Sequence, residues 1–146
     1  MSVFNLKKGR KYFIVVILNF TILTLFGGCA KLDISGNWVG KITVTEKGKP
    51  DSNAISIMFS QKDKDVTGVI TLIDKNSKIN MNITGVLIGE KLTFKADYNT
   101  GFSSLSVNFS GTAIKNEIKG NVDINNSSMM GRKSYQGQLI ASREAR

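Results

Sequence analysis

Between Gly36 and Arg143, apolar or small residues alternate with polar ones in short runs that end in turn residues, and no stretch carries a helical stripe. A period of two sends successive side chains to opposite faces, which is the signature of half-buried antiparallel strands. Eight are predicted: Gly36 to Thr45, Ala54 to Lys62, Asp65 to Ile73, Ile79 to Leu87, Lys91 to Tyr98, Ser104 to Ala113, Glu117 to Ile124 and Ser134 to Arg143. Pro50 falls between the first two, where a missing N–H removes no ladder bond.

The alternation also names the buried face. Trp38, Gly40, Ile42 and Val44 share one side of the first strand; Leu92, Phe94, Ala96 and Tyr98 do so on the fifth, and Leu105, Val107, Phe109, Gly111 and Ala113 on the sixth. Tyr135, Gly137, Leu139 and Ala141 line the last, with Arg143 in the same phase. A weak repeat, in which Phe59, Gly85 and Gly111 are each followed seven and then two residues later by Val66 and Gly68, Leu92 and Phe94, and Ile118 and Gly120, marks successive hairpins. The fold class is therefore all-β, and eight consecutive strands with one dry face close most simply into an antiparallel up-and-down barrel, which removes the sheet edges. An open sandwich of the same strands is the alternative.

Gly36-Asn37-Trp38 resembles the Gly-x-Trp that opens the first strand of calycin-superfamily barrels, the lipocalins and avidin-like proteins. That resemblance implies an eight-stranded barrel closed by an Arg from the last strand packed over the Trp, and Arg143 stands in the corresponding place. The Thr-Asp-Tyr motif of true lipocalins is missing, and the length is nearer to that of avidin-like barrels.

Ahead of the barrel, Lys7, Lys8, Arg10 and Lys11 precede an apolar run from Tyr12 to Phe26 and a small pair, Gly27-Gly28, in the layout of a secretory signal. At ~1.5 Å per residue the run reaches only about 22 Å, short of the ~30 Å hydrocarbon core, so cleavage is expected rather than a permanent span. Leu25-Phe26-Gly27-Gly28-Cys29 resembles the lipobox of bacterial lipoproteins, with Phe26 where Leu is usual. The resemblance implies that Cys29, the only cysteine, is lipidated and becomes the mature N-terminus. The expected organisation is a signal peptide over residues 1–28, a lipidated tether over 29–35 and a barrel over 36–146, exported and anchored to the cell-envelope membrane.

Four of the twenty basic residues leave with the signal while all eleven acids stay, so a net charge of +9 falls to +5. Without a histidine neither a histidine metal site nor a His-based triad exists. The acids fall in turns or on the outward face, so no catalytic pair and no catalytic residue is expected. Asp63-Lys64-Asp65 lacks the further ligands and glycine of a calcium loop and reads as a turn. No nucleic-acid partner is expected, because the aromatics share the apolar face instead of interleaving with the lysines. No cofactor or metal is implied.

Binding remains. The inner face offers mostly aliphatic and aromatic groups with Tyr98 and Tyr135 as polar handles, so the expected ligand is small and apolar and is touched by Phe94, Tyr98, Phe109 and Tyr135. The alternative is a filled barrel that acts as an envelope protein-interaction or structural module. Turns of a meander alternate ends, so Glu46 to Asn53, Asp74 to Lys78, Asn99 to Ser103 and Asn125 to Lys133 are expected to be long loops around one open mouth. Those loops carry Phe102, Met129 and Met130, apolar residues that fit either a cap over the core or a gate or partner contact.

Overall fold

A computed structural model describes residues 31–74 and 77–145. Cys29 and the signal segment lie outside the described residues. The chain forms β1 (Gly36–Glu46), β2 (Lys49–Lys62), β3 (Asp65–Asp74), β4 (Ser77–Ile88), β5 (Lys91–Asn99), β6 (Ser103–Ile114), β7 (Glu117–Ser128) and β8 (Gly131–Arg143). Each strand pairs antiparallel with the next, and β8 returns to β1, Trp38 facing Arg143 and Val44 facing Gly137, so the sheet is a closed up-and-down barrel. The open sandwich is excluded.

Three of the expected long loops are largely strand instead; in the stretch from Asp74 to Lys78, Asp74 pairs with Ser77, which leaves two residues between β3 and β4. β2 begins at Lys49, with Pro50 opposite Thr45, and the hairpin turns at Lys47-Gly48, both with positive φ (50° and 78°). That is the geometry of a two-residue turn whose twist matches the strands it joins. Pro50 is tolerated because β2 pairs with β3 only from Ala54 onward, which leaves Lys49 to Asn53 on a free edge. Likewise β7 runs on to Ser128 and β8 starts at Gly131, so the connection is Met129-Met130 alone. Asn125 to Ser128 look like loop residues, yet β6 lies alongside down to Ser103 opposite Ser128 and supplies their ladder bonds.

The core is the inner row of every strand. Twenty-one hydrophobic residues are buried, and no buried polar or charged residue occurs among the described residues. Ile34, ahead of β1 in the segment expected to be a free tether, is fully buried. The compact barrel unit starts at Leu32, because Leu32 and Ile34 extend the alternation backward in phase with Trp38 and pack into the barrel end.

Candidate functional site

The two ends of the barrel differ. At the end where the chain enters and leaves, the Arg143 guanidinium lies over the Trp38 ring with Cζ 4.7 Å from the centroid. Its nitrogens donate to three backbone carbonyls: Nε to Lys115 at 3.1 Å, Nη1 to Ser35 at 2.8 Å and Nη2 to Asp33 at 2.7 Å. The Trp38 indole N–H donates to the Ile34 carbonyl at 2.9 Å. Gln61 completes the closure: Oε1 accepts the Ile34 N–H (2.9 Å), and Nε2 donates to the Leu32 and Asp63 carbonyls (3.0 and 2.9 Å). Hydrogen bonds from the Ser35 hydroxyl and N–H hold the Asp33 carboxyl below its usual range, and the Arg143 charge adds to this. A polar surface cleft lined by Asn37, Lys115, Asn116 and Ser142 opens beside Arg143, each of whose three nitrogens already donates to a backbone carbonyl.

Above this plug the interior is filled. Phe94 and Phe109, directly opposite on β5 and β6, stack with centroids 4.8 Å apart, and Phe59 meets Phe94 edge-on at 5.8 Å. The Phe109 ring lies across Gly111 and Gly120, which face each other on β6 and β7. A Cβ on Gly111 would fall 2.6 Å from the Gly120 Cα and 2.7 Å from Phe109 Cζ. Glycine is thus the space into which the ring is set. The next layer up, with Ile70, Met81, Ala96 and Val107 at 0% exposure, leaves no water-sized void beside those side chains.

At the opposite end the first incompletely covered inward residues are Val44, Leu72, Ile79, Leu105 and Ile124, which are aliphatic, and Asn53, Tyr98 and Tyr135, which are polar; beyond them the inward rows continue to the exposed Asp51, Asp74, Ser77, Asn126 and Lys133. Tyr98 faces Leu105, and Ile124 faces Tyr135, so the two phenols stand over aliphatic neighbours on the β5–β8 side. Together the eight form a dish of five aliphatic side chains, two phenols and one amide, rimmed by charged and polar groups. This ring can hold an apolar surface by contact and orient it with a few hydrogen bonds.

The residues singled out by sequence are therefore divided. Phe94 and Phe109 are brought together, but in the filled layers below the dish. Tyr98 and Tyr135 belong to its ring. Met129 and Met130 sit on the β7–β8 turn, 86% and 100% exposed, beside Phe102 at 77% on the β5–β6 turn. These three do not cap the core. The ring members Asn53, Leu72 and Ile79, and the closing Gln61, were not named from sequence as site residues; their inward phase was the available signal.

No protein family and no curated protein matches the sequence. Among solved structures the barrel is similar to that of rhizavidin, in a complex with biotin, with a TM-score of 0.54 and 15% identity over 78% of this chain and 94% of that one. With its closed eight-stranded meander, Trp38 and Arg143 at the seam, this chain has the avidin-like calycin barrel fold.

Proposed function

We propose that the chain is an exported lipoprotein, held at the cell-envelope membrane through a lipidated Cys29, whose barrel mouth binds a small apolar ligand. The observation that carries the reading is the ring of eight inward residues, one per strand, left half-covered above a filled interior. The inner row is apolar and buried below this level and polar or charged above it, and partly exposed apolar surface at the mouth of a barrel favours ligand binding. The rhizavidin barrel, of the same fold, is known in complex with biotin, which supports a small ligand for such a barrel.

The test is native mass spectrometry of the detergent-extracted protein, paired with titration of the neutral apolar fluorophore N-phenyl-1-naphthylamine. Saturable fluorophore binding that Leu105→Asp weakens at least tenfold is expected, with a small-molecule adduct appearing only when ligand is present in excess. Clean protein with no saturable binding would reject the ligand.

A second reading, in which the filled barrel is an envelope interaction module, draws on the exposure of Phe102, Met129 and Met130 on adjacent turns. It is favoured if Met129→Ser and Met130→Ser abolish capture of an envelope partner while the fluorophore never binds.

A further inference from the structure

The three most exposed large hydrophobic side chains among the described residues share one corner of the barrel's mouth end. Phe102 is 77% exposed on the β5–β6 turn, and Met129 and Met130 are 86% and 100% exposed on the β7–β8 turn. Ser103 faces Ser128 directly, so Phe102 and Met129, the next residue out on each strand, stand side by side. Past them the chain reverses, which leaves a protruding apolar tip.

The backbone of these turns finds partners within the turns. The Thr100 N–H donates to the Ser103 carbonyl (3.0 Å), the Gly101 N–H to Asn99 Oδ1 (2.7 Å), the Ser103 N–H to Thr100 Oγ1 (3.2 Å) and the Met130 N–H to Ser128 Oγ (3.3 Å). Unpaired backbone groups are what make a turn costly to move out of water, so this pairing lowers the cost of immersing the tip.

Charge around the tip has one sign. No acid occurs from Tyr98 to Asn108 or from Ile124 to Arg143, whereas Arg132 and Lys133, both exposed, follow Met130 by two and three residues. At ~3.3 Å per residue these cations stand roughly 7–10 Å behind the tip. Apolar groups of surface-bound segments reach ~5–10 Å into the boundary between headgroups and acyl chains, a depth that sets the two cations level with the phosphates. Elsewhere on the rim Lys47, Lys49 and Lys78 are balanced by Glu46, Asp51 and Asp74.

We propose that the β5–β6 and β7–β8 turns insert Phe102, Met129 and Met130 into the surface of an anionic bilayer, with Arg132 and Lys133 on its phosphates. A fluid acyl layer accepts a protruding apolar tip as it stands, whereas a protein partner must supply a complementary pocket. Leu32, where the chain enters the barrel, is held at the opposite end by Gln61, which leaves the tip clear. This contact needs neither a lipidated Cys29 nor a ligand on the dish.

The test reconstitutes the full chain, with the fluorescent residue dansylalanine in place of Met130, in phosphatidylcholine vesicles. Vesicles of phosphatidylglycerol with brominated acyl chains are then added. Dansyl emission is expected to shift to the blue and to be quenched, and brominated phosphatidylcholine vesicles should do neither. Arg132→Ser with Lys133→Ser is expected to raise the lipid concentration for half-maximal quenching about 30-fold, the contribution of two basic residues near an anionic surface. Phe102→Ser with Met129→Ser is expected to raise it about tenfold or more through lost apolar contact. Melting temperatures should not change, because all four sites are exposed. Quenching of the chain that keeps these four residues is a readout that stands even if a variant fails to fold. Absence of quenching both by the added vesicles and by brominated phosphatidylglycerol in the protein's own vesicles overturns the proposal, and so does equal quenching by phosphatidylcholine. Emission that ignores lipid but shifts with solubilised envelope protein also overturns it and assigns the tip to a protein partner.

Discussion

A single arginine ties the entering and leaving segments of the chain together at one end of the barrel. Arg143 meets an aromatic face and three carbonyls from two separate segments, 33–35 and Lys115, so its removal loses a cation–π contact of ~0.5–2 kcal/mol along with charge-assisted hydrogen bonds. Arg143→Ala and Trp38→Phe are each expected to lower stability by roughly 1–3 kcal/mol in denaturant melts of the full chain, with the double variant less than additive. Arg143→Lys should recover little, since an ammonium cannot reach three diverging carbonyls at once. Full additivity would mean that the two side chains are energetically independent. Trp38 and Arg143 were legible through the resemblance of Gly36-Asn37-Trp38 to the opening of calycin barrels, with the inward phase of Arg143 in agreement. Gln61 was not, since a polar residue at the end of an inward row looks like the start of a turn, and only the return of the 32–35 segment over the barrel end gives its amide two of its three partners, the Asp63 carbonyl being the third.

Strands were legible wherever alternation contained apolar residues and were cut short where it did not. Pro50 and Asn125 to Ser128 have turn composition, yet they extend hairpins: Pro50 is paired by β1 alone, and Asn125 to Ser128 by both β6 and β8. The consequence is a rim that is not continuously bonded. The β4–β5 ladder ends at Asn82 opposite Asp97, the β1–β8 ladder at Val44 opposite Gly137, and the β2–β3 ladder at Ala54 opposite Ile73. Each freed edge carries Lys or Pro, namely Lys49 and Pro50, Lys78, and Lys133, which discourages edge-to-edge pairing. Amide hydrogen exchange should therefore be fast along 49–53 and 131–136 and slow in the β6–β7 ladder between Val107 and Ala113. Uniform protection to the rim would contradict the split. On the β7–β8 turn, Met129→Ser with Met130→Ser should change stability by less than ~0.5 kcal/mol, as expected of exposed sites, while altering fluorophore binding more. A large loss of stability with unchanged binding would make these residues core.

For the molecule as a whole, the barrel and its dry interior could be read from period and phase, whereas the address rests on the Leu25 to Cys29 segment alone. Cys29→Ser is expected to leave the protein unprocessed or to move it from the detergent to the aqueous phase on phase partitioning. Unchanged processing and partitioning would reject lipidation. Sequence could not say how deep the mouth runs, because depth depends on how the Phe94–Phe109 stack and the layer above it share space with glycines on other strands. That filled floor governs time as well as space. Under the proposed function, a ligand resting on the dish is covered from one side, and ~150 Å² of buried apolar surface contributes roughly 4 kcal/mol. On the affinity scale this is about millimolar, and with an association rate near ~10⁶ M⁻¹s⁻¹ it corresponds to a residence of about a millisecond. Under that function, a barrel floored in this way would pass a molecule along, as a relay does, and would not hold a store of it.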